Sequence, residues 1–233
     1  MTSSVRLTRR FYRRDPVTLA KALLGQILVR RLEDGRELAG KIVEVEANHG
    51  IEDRAAHSFG GHRTARNASM WRDGGHAYVY FTYGMHWCVN VVADREEVPT
   101  ACLIRALEPL RGIEEMRRRR SGKVSPARLR ATDLCSGPAK LTQALAIDRK
   151  LDGVDLVESS ALCIVRGARS TPRIGESPRI GVANAREWAG KPLRFFIEGN
   201  PHVSGQKNRG RRSPQETTPS SRGEKRFAAL PFS

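Results

Sequence analysis

The chain has 233 residues and a formal net charge of +16, from 41 Lys and Arg against 25 Asp and Glu. This length fits one domain, or at most two small ones, with a core of ordinary size. The positive excess speaks about partners rather than about the fold, and a nucleic acid is the commonest polyanionic partner. A basic protein that is merely kept soluble by its charge is the alternative.

Cysteine usage and hydropathy narrow the class of protein further. The four cysteines are too far apart in sequence for a Cys-x-x-Cys metal or redox pair, and each lies in or beside an apolar stretch. We therefore expect buried, reduced thiols and a reducing compartment, the cytoplasm or a nucleus. The first 15 residues lack the apolar core of a secretory signal, and no run of 18 apolar residues is present, so neither secretion nor membrane insertion is expected.

The elements can be predicted in chain order. Asp15-Pro16 is a typical helix start, Leu19 and Leu23 then follow at helical spacing, and Gly25 ends this helix. Asp34-Gly35 predicts a hairpin between two strands. Further strands are predicted in "HAYVYFTYG", "HWCVNVVA", "TACLIRALEP" and "KPLRFFIEG", and helices in "GIEEMRRRR" and "SGPAKLTQALAI".

Hairpin strands mixed with helices indicate an α+β fold rather than a doubly wound sheet. Residues 1–204 are predicted to form one domain, and residues 205–233 a basic, disordered tail that lacks large apolar residues over most of its length. The tail carries seven Lys and Arg against two Glu, a net charge of +5, which leaves +11 of the total +16 on the rest of the chain. The basic character is therefore not confined to the tail.

The strand "KIVEVEAN" places two glutamates on one face. Because alternate residues of a strand share a face, Val43, Val45 and Ala47 are expected in the core, with Glu44, Glu46 and Asn48 opposite. Such a face is usually solvated. Here, however, polar residues, a histidine and aromatic residues follow closely, and a base-processing enzyme needs a carboxylate, flat side chains and positive charge. The strand is thus a candidate wall of an active site.

Nine sequence words, in order over residues 6–204, resemble the alkyladenine DNA glycosylases, also called 3-methyladenine or methylpurine DNA glycosylases. The ordered set is far more specific than any one word, and the tail lies outside it. The words are "LAKALLGQILVRRL", "GKIVEVEA", "EDRAAHSFGG", "TARNASM", "AYVYFTYGMHWCVNV", "LIRALEPLRGIEEMRRRR", "LCSGPAKLTQALAI", "RIGV" and "KPLRFFIEGNPHVS".

The resemblance implies a fold and an activity. The fold would be one domain with a curved, mainly antiparallel sheet or roll, surrounded by helices and carrying a protruding β-hairpin. The enzyme would flip a damaged purine out of duplex DNA and hydrolyse its N-glycosidic bond, leaving an abasic site for base excision repair. Glu46 would be the base that activates the water, and Arg105 would position the water and the nucleotide. No cofactor or metal is implied.

The same resemblance assigns the substrate contacts. Tyr80 and His57 would stack on the flipped base, and Asn90 would crowd the exocyclic amino group of guanine. Tyr83, at the hairpin tip beside Met85, would wedge into the gap left in the duplex. From the residues alone, a group of tyrosines on a strand pair is more often simple packing.

One position departs from the family's pattern. The family usually has a tyrosine two residues after the catalytic glutamate, where this chain has Asn48, followed by His49. One base–aromatic face contributes about 1–3 kcal/mol. Without this tyrosine the range of bases that the enzyme accepts is not determined by the resemblance, and the His49 ring is a candidate to replace the missing aromatic face. A non-catalytic nucleic-acid-binding protein, or a glycosylase for another modified base, remains an alternative.

Other candidate sites carry less weight. Histidines at 49, 57, 62, 76 and 86 lack the spacing of a metal site, and no lysine matches the amine nucleophile of a lyase, so a monofunctional enzyme is expected. The run Arg117 to Arg120, and the N-terminal arginines, are either solvated faces or phosphate contacts. Duplex DNA is the expected partner, and a monomer the expected state.

Overall fold

The computed structural model describes residues 5–122, 125–168 and 172–205. Within these ranges the chain forms one sheet of eight strands with five α-helices, and several 3₁₀ turns connect them. The strands are β1 Ile27–Arg31, β2 Glu37–Asn48, β3 Ala77–Thr82, β4 His86–Ala93, β5 Thr100–Arg111, β6 Leu162–Val165, β7 Ile174–Ser177 and β8 Arg194–Ile197. The helices are α1 Arg9–Tyr12, α2 Pro16–Leu23, α3 Ile113–Ser121, α4 Ala131–Leu134 and α5 Pro138–Leu145.

The sheet is antiparallel and centred on β2. Its main path runs β3-β4-β5-β2-β1-β6, and β8 pairs with both β2 and β7. Strand β2 lies against β5 along most of its length, while its other edge is taken first by β1 and then by β8. The predicted α+β class, with a single domain and a curled antiparallel sheet, is confirmed. The predicted tail lies outside the described residues, apart from Gly205.

The start of α2 follows the predicted chemistry. The Asp15 side chain accepts hydrogen bonds from the backbone N–H groups of Val17 at 3.1 Å and Thr18 at 2.9 Å. These bonds satisfy two of the donors that a helix leaves free at its first turn. The buried Leu19 and Leu23 attach α2 to the sheet.

The core lies on one face of the sheet. Val45, Ala47 and Ile104 are fully buried there and share a cluster with Leu141 and Leu145 of α5. This arrangement confirms the predicted core positions of Val45 and Ala47 and leaves the opposite face for polar residues.

Val43 is buried as well, but not in the main core. The register of β2 against β5 shifts between Ile42 and Glu44 and again between Glu44 and Val45. Val43 consequently packs with Ala106 and Val203 in a separate cluster. Strict alternation was the wrong guide here, because a bulge adds a residue to one strand and turns the side chains around it.

Several short elements were not predicted. Strands β6 and β7 have four residues each, and they are defined by their pairing with β1 and β8. Such short strands have little local signal, since partners distant in sequence supply their hydrogen bonds. Of the helices described, none has the length and apolar character needed to cross a bilayer.

Candidate active site

The pairing register assembles the site across five strands. Tyr78 of β3 lies opposite Asn90 of β4, Asn90 opposite Leu103 of β5, Leu103 opposite Glu46 of β2, and Glu46 opposite Arg194 of β8. Directly paired residues of a sheet point to the same side. The row therefore places candidate residues from distant parts of the sequence on the face opposite the main core.

Glu46 is a buried carboxylate with two identified hydrogen bonds. It is 3% exposed, its Oε1 accepts from the backbone N–H of Ile180 at 2.7 Å, and its Oε2 accepts from Arg105 Nη1 at 3.1 Å. Burial raises the pKa of Glu46, while Arg105 and the Ile180 N–H oppose the rise and the negative charge of Glu44 adds to it. A carboxylate whose proton affinity is raised in this way suits general-base chemistry.

Arg105 bridges the two glutamates of β2. Its Nε donates to Glu44 Oε1 at 3.0 Å, and its Nη1 donates to Glu46. Strict alternation along β5 would put Arg105 on one face with Leu103 and Leu107, but Leu107 packs in the main core. The bulge between β2 and β5 separates these neighbours, since Glu44 pairs with Ala106 and Val45 with Ile104, which leaves Arg105 without a direct partner in the ladder. The irregularity turns the guanidinium toward both carboxylates.

A small cavity lies beside the strand end. It measures about 40 Å³ and is lined by Asn48, Ala55, Ala56, His57, Met70, Tyr78, Tyr80 and Asn90. Asn48, His57, Tyr80 and Asn90, all four predicted substrate contacts, thus come together. Tyr78 and Met70, which also line the cavity, were not predicted as substrate contacts.

The aromatic rings of this cavity contact one another. The His57 and Tyr80 rings meet edge to face with centroids 4.5 Å apart, and the Tyr78 and Tyr80 rings lie 5.2 Å apart. His57 Nδ1 is 2.7 Å from the Tyr78 hydroxyl. Burial raises the pKa of Tyr80 further above neutral pH, and its uncharged ring offers a flat surface. The Asn90 amide donates to the Tyr78 carbonyl oxygen at 3.1 Å, so its orientation is fixed.

A buried arginine that sequence reasoning missed fixes Asn48. The Arg179 side chain is 1% exposed and makes a bidentate pair with Asp53, with distances of 2.6 and 2.7 Å. Its Nη1 also donates to Asn48 Oδ1 at 2.8 Å and to the Ala47 carbonyl oxygen at 3.0 Å. Because arginine has only donors, the atom of Asn48 facing it must be the oxygen.

The ion pair between Arg179 and Asp53 orders the segment after β2 and the segment that contains Arg179. Asp53 accepts from the N–H groups of His49 and Ala55, at 3.0 and 2.9 Å, and so shapes the turn that leads to His57. Burial alone would raise the pKa of Asp53, but the hydrogen bonds from Arg179 and the backbone outweigh it and hold that pKa low. Arg179 also directly precedes Ile180, whose N–H binds Glu46. The sequence word "RIGV", which begins at Arg179, was the only sequence signal for this arginine, and it does not indicate that the side chain is buried.

His49 does not line the cavity. Its ring is half-buried and lies against Trp188, with centroids 5.7 Å apart. In this conformation it does not replace the aromatic face that Asn48 removes.

The tip of the β3–β4 hairpin is exposed. Tyr83 is 81% exposed and Met85 68% exposed, far more than is usual for large apolar side chains. Tyr83 and Gly84 both have positive φ, of 51° and 67°, and the Met85 N–H closes the turn on the Thr82 carbonyl oxygen at 3.2 Å. The predicted wedge residues therefore face solvent, while the predicted protrusion of the hairpin stays a prediction.

Most arginines of the run Arg117 to Arg120, and Arg9 and Arg13 near the N-terminus, contact other side chains of the protein. On α3, Arg117 contacts Glu114, Arg118 and Arg119 both contact Glu115, and Arg120 contacts Gln143. At the N-terminus, Arg9 and Arg13 pair with acids, chiefly Asp155 and Asp73 respectively. These contacts fit the solvated-face interpretation, and phosphate contacts by either cluster stay predictions.

Metal-ligand chemistry has no counterpart in the part of the chain that the structure describes. No group of three or more His, Cys, Asp or Glu residues there could hold an ion. The four cysteines, Cys88, Cys102, Cys135 and Cys163, are buried and free, as expected from their apolar surroundings.

Comparisons with known proteins show which family the chain resembles. The family model described as methylpurine-DNA glycosylase matches residues 10–201. The DNA-3-methyladenine glycosylase of Homo sapiens is 49% identical over 206 residues, covering 85% of this chain and 68% of the human protein. The mouse enzyme of the same name is 48% identical, covering 86% of this chain and 62% of the mouse protein, so the chain spans less than two thirds of that relative. A protein of Clostridium acetobutylicum, provisionally named a 3-methyladenine DNA glycosylase, is 43% identical over 86% of this chain and 98% of its own length.

The family match and the names of these relatives indicate a DNA repair glycosylase, a hydrolase of N-glycosyl bonds. The chain belongs to the methylpurine-DNA glycosylase family. The family match ends at residue 201 and therefore leaves out the basic tail.

Proposed function

We propose that this chain flips an alkylated or deaminated purine out of duplex DNA and hydrolyses its N-glycosidic bond with a water activated by Glu46. The product is an abasic site, which makes the protein an enzyme of base excision repair. The observation that carries the proposal is the environment of Glu46, a buried carboxylate held by Arg105 and the Ile180 N–H on the face that also bears the cavity residues.

The hydrogen bonds of Glu46 leave capacity for a water. A carboxylate offers about four acceptor sites, and two hydrogen bonds to Glu46 are identified, one on each oxygen. A water that donates to either oxygen would be oriented by a carboxylate whose pKa is raised by burial. Such a base typically contributes about 10²–10⁴-fold to the rate.

The reaction balances without a cofactor. The water oxygen forms a bond to the sugar C1′, its proton passes to Glu46, and the bond from C1′ to the purine nitrogen breaks with its electrons going to the base. A cationic N-alkylpurine leaves as a neutral molecule, so it needs the least help. No lysine lines the cavity in the described residues, in keeping with a monofunctional enzyme that forms no imine with the sugar.

The base must enter a pocket that is narrow in this conformation. A cavity of about 40 Å³ is far smaller than the roughly 300–1,000 Å³ of typical ligand sites. Separation of the His57 and Tyr80 rings, now 4.5 Å apart, is the simplest way to admit a purine between them. Asn90, fixed by the Tyr78 carbonyl, would then crowd the exocyclic amino group of a normal guanine.

The exposed hairpin tip is the proposed DNA contact. Tyr83 and Met85 would fill the gap that the flipped nucleotide leaves, entering from the minor groove. Flipping costs a few kcal/mol, and least at weakened base pairs, which favours damaged sites. A monomer that acts in the cytoplasm, or in the nucleus of a eukaryote, remains a prediction.

The deciding experiment is single-turnover excision on duplex oligonucleotides, each carrying one hypoxanthine, one ethenoadenine or one methylated purine. Wild type is compared with Glu46→Gln, and Glu114→Gln serves as the matched control because that glutamate is 78% exposed on α3. We expect abasic sites with wild type and Glu114→Gln, and a loss of about 10²–10⁴-fold with Glu46→Gln.

Two results would overturn the proposal. Unchanged excision by Glu46→Gln would remove Glu46 from the mechanism. Tight, salt-sensitive binding without product on any lesion would favour a nucleic-acid-binding protein, or a glycosylase for a different base, with Asn48 as the altered pocket wall.

A further inference from the structure

Glu44 is a buried carboxylate for which the proposed reaction has no use. It is fully buried and accepts four hydrogen bonds, and a buried charge with so many donors is strongly fixed in place. Oε1 accepts from Arg105 Nε at 3.0 Å, Arg194 Nε at 2.7 Å and Ser204 Oγ at 2.8 Å, and Oε2 accepts from the Ser204 N–H at 2.6 Å. Little capacity remains for a water, so Glu44 is unsuited to the role of base.

Glu44 acts on Glu46 through a shared guanidinium. The donors of arginine form a rigid planar fork, so holding one edge fixes the direction of the others. Glu44 holds the Nε edge of Arg105, which directs Nη1 to a single oxygen of Glu46 at 3.1 Å. Without Glu44, Arg105 would be free to turn and bind both oxygens of Glu46, which would fill one of the two acceptor sites left for a water.

The residues that hold Glu44 come from the far end of the domain. Arg194 lies on β8, and its Nη2 donates to the Ser204 carbonyl oxygen at 3.2 Å. Ser204 is itself buried and lies next to Gly205, the last described residue. The N–H and hydroxyl of Ser204, 160 residues away in sequence, thus supply two of the four hydrogen bonds to Glu44.

We propose that Glu44 is a positioning residue that sets Arg105 against Glu46, and that Ser204 is the clamp that holds Glu44 in place. This inference rests on the proposed role of Glu46. It adds to that role a chain of contacts from Ser204 through Glu44 and Arg105 to the catalytic carboxylate.

The first test is Glu44→Gln, measured by single-turnover excision at saturating enzyme and at several pH values. The charged and titratable groups facing Glu46 are Arg105 from β5, Glu44 from β2, Tyr80 from β3 and Cys88 from β4. Arg194 from β8 faces Glu44. We expect the rate to fall on the order of 10²-fold, the effect of a misplaced catalytic group, with the Kd for DNA unchanged. Because the charge of Glu44 raises the pKa of Glu46, its removal should also move the acid limb of the rate profile to lower pH.

The second test uses Ser204. Ser204→Ala removes one of the four hydrogen bonds and should slow excision several-fold, whereas Ser204→Thr keeps the hydroxyl and should restore the rate. Ser121→Ala is the control, because the Ser121 hydroxyl donates to the Arg118 carbonyl oxygen at 2.9 Å on α3 and contacts neither Glu44 nor the residues that hold it. It should leave excision unchanged.

The outcomes separate this inference from the proposed function. If wild type makes no abasic sites, the proposed function fails first. If wild type is active, Glu46→Gln is inactive and Glu44→Gln matches wild type, only the positioning role is overturned. A loss in Glu44→Gln with an unshifted pH profile and equally weakened DNA binding would show general structural damage, and would also refute it.

Discussion

The buried pair between Arg179 and Asp53 offers the sharpest test of how the site is held together. Arg179→Met keeps much of the side-chain length but removes every hydrogen bond of the guanidinium. Asp53 would keep its charge at 0% exposure, and Asn48 and the Ala47 carbonyl would lose a donor. Breaking a buried ion pair by removing one partner costs about 3–5 kcal/mol.

That cost predicts a large change in melting temperature. For a domain of this size, each kcal/mol corresponds to roughly 2–4 °C, so Arg179→Met should lower the Tm by roughly 6–20 °C at pH 7. Arg63→Met is the control, since Arg63 and Glu97 form an exposed pair, 52% and 60% exposed, of the kind that contributes about 0–1 kcal/mol. Thermal unfolding followed by circular dichroism measures both.

The pH dependence supplies a second readout. Arg179 helps to depress the pKa of Asp53, so its stabilisation is present above the ordinary carboxyl pKa and is lost as pH falls through the lower folded value. The difference in Tm between wild type and Arg179→Met should therefore become smaller at acid pH. A Tm within a few degrees of wild type, like that of Arg63→Met, would refute the view that this pair holds the loops together.

Three further predictions concern the catalytic strand and the hairpin. Asn48→Tyr restores an aromatic face worth about 1–3 kcal/mol and should speed single-turnover excision of hypoxanthine by about 5- to 150-fold, and an unchanged or lower rate would contradict this. Glu46→Gln should melt at a higher temperature than wild type at neutral pH. Burial raises the pKa of Glu46 in the folded protein, so the contribution of this residue to stability is complete below the ordinary carboxyl pKa and is lost as pH rises through the folded-state pKa. The melting temperatures of wild type and Glu46→Gln should therefore converge at acid pH. A lower Tm for Glu46→Gln at pH 7 would contradict this prediction. Tyr83→Ala should weaken binding to lesion-containing duplex DNA, as measured by fluorescence anisotropy. The Tm should stay unchanged because the Tyr83 side chain is 81% exposed, and a large drop in Tm would instead assign Tyr83 a packing role.

Local chemistry alone determined much of the fold. The Asp15 cap, the Asp34-Gly35 turn and the alternation of Val45, Glu46 and Ala47 are written in neighbouring residues, and each predicted element formed where expected. Four predicted substrate contacts also line one cavity. That grouping came from resemblance to a family, since spacing alone cannot show which strands become neighbours in a sheet.

Tertiary structure decided the rest. The bulge that diverts Val43 from the main core and turns Arg105 toward two carboxylates arises from the pairing of strands about 60 residues apart, and no local pattern encodes it. The roles of Arg179 and Ser204 depend on burial and on partners 126 to 160 residues distant. A charged or hydroxyl side chain looks the same in sequence whether it meets water or a buried carboxylate, and only the packed chain distinguishes the two.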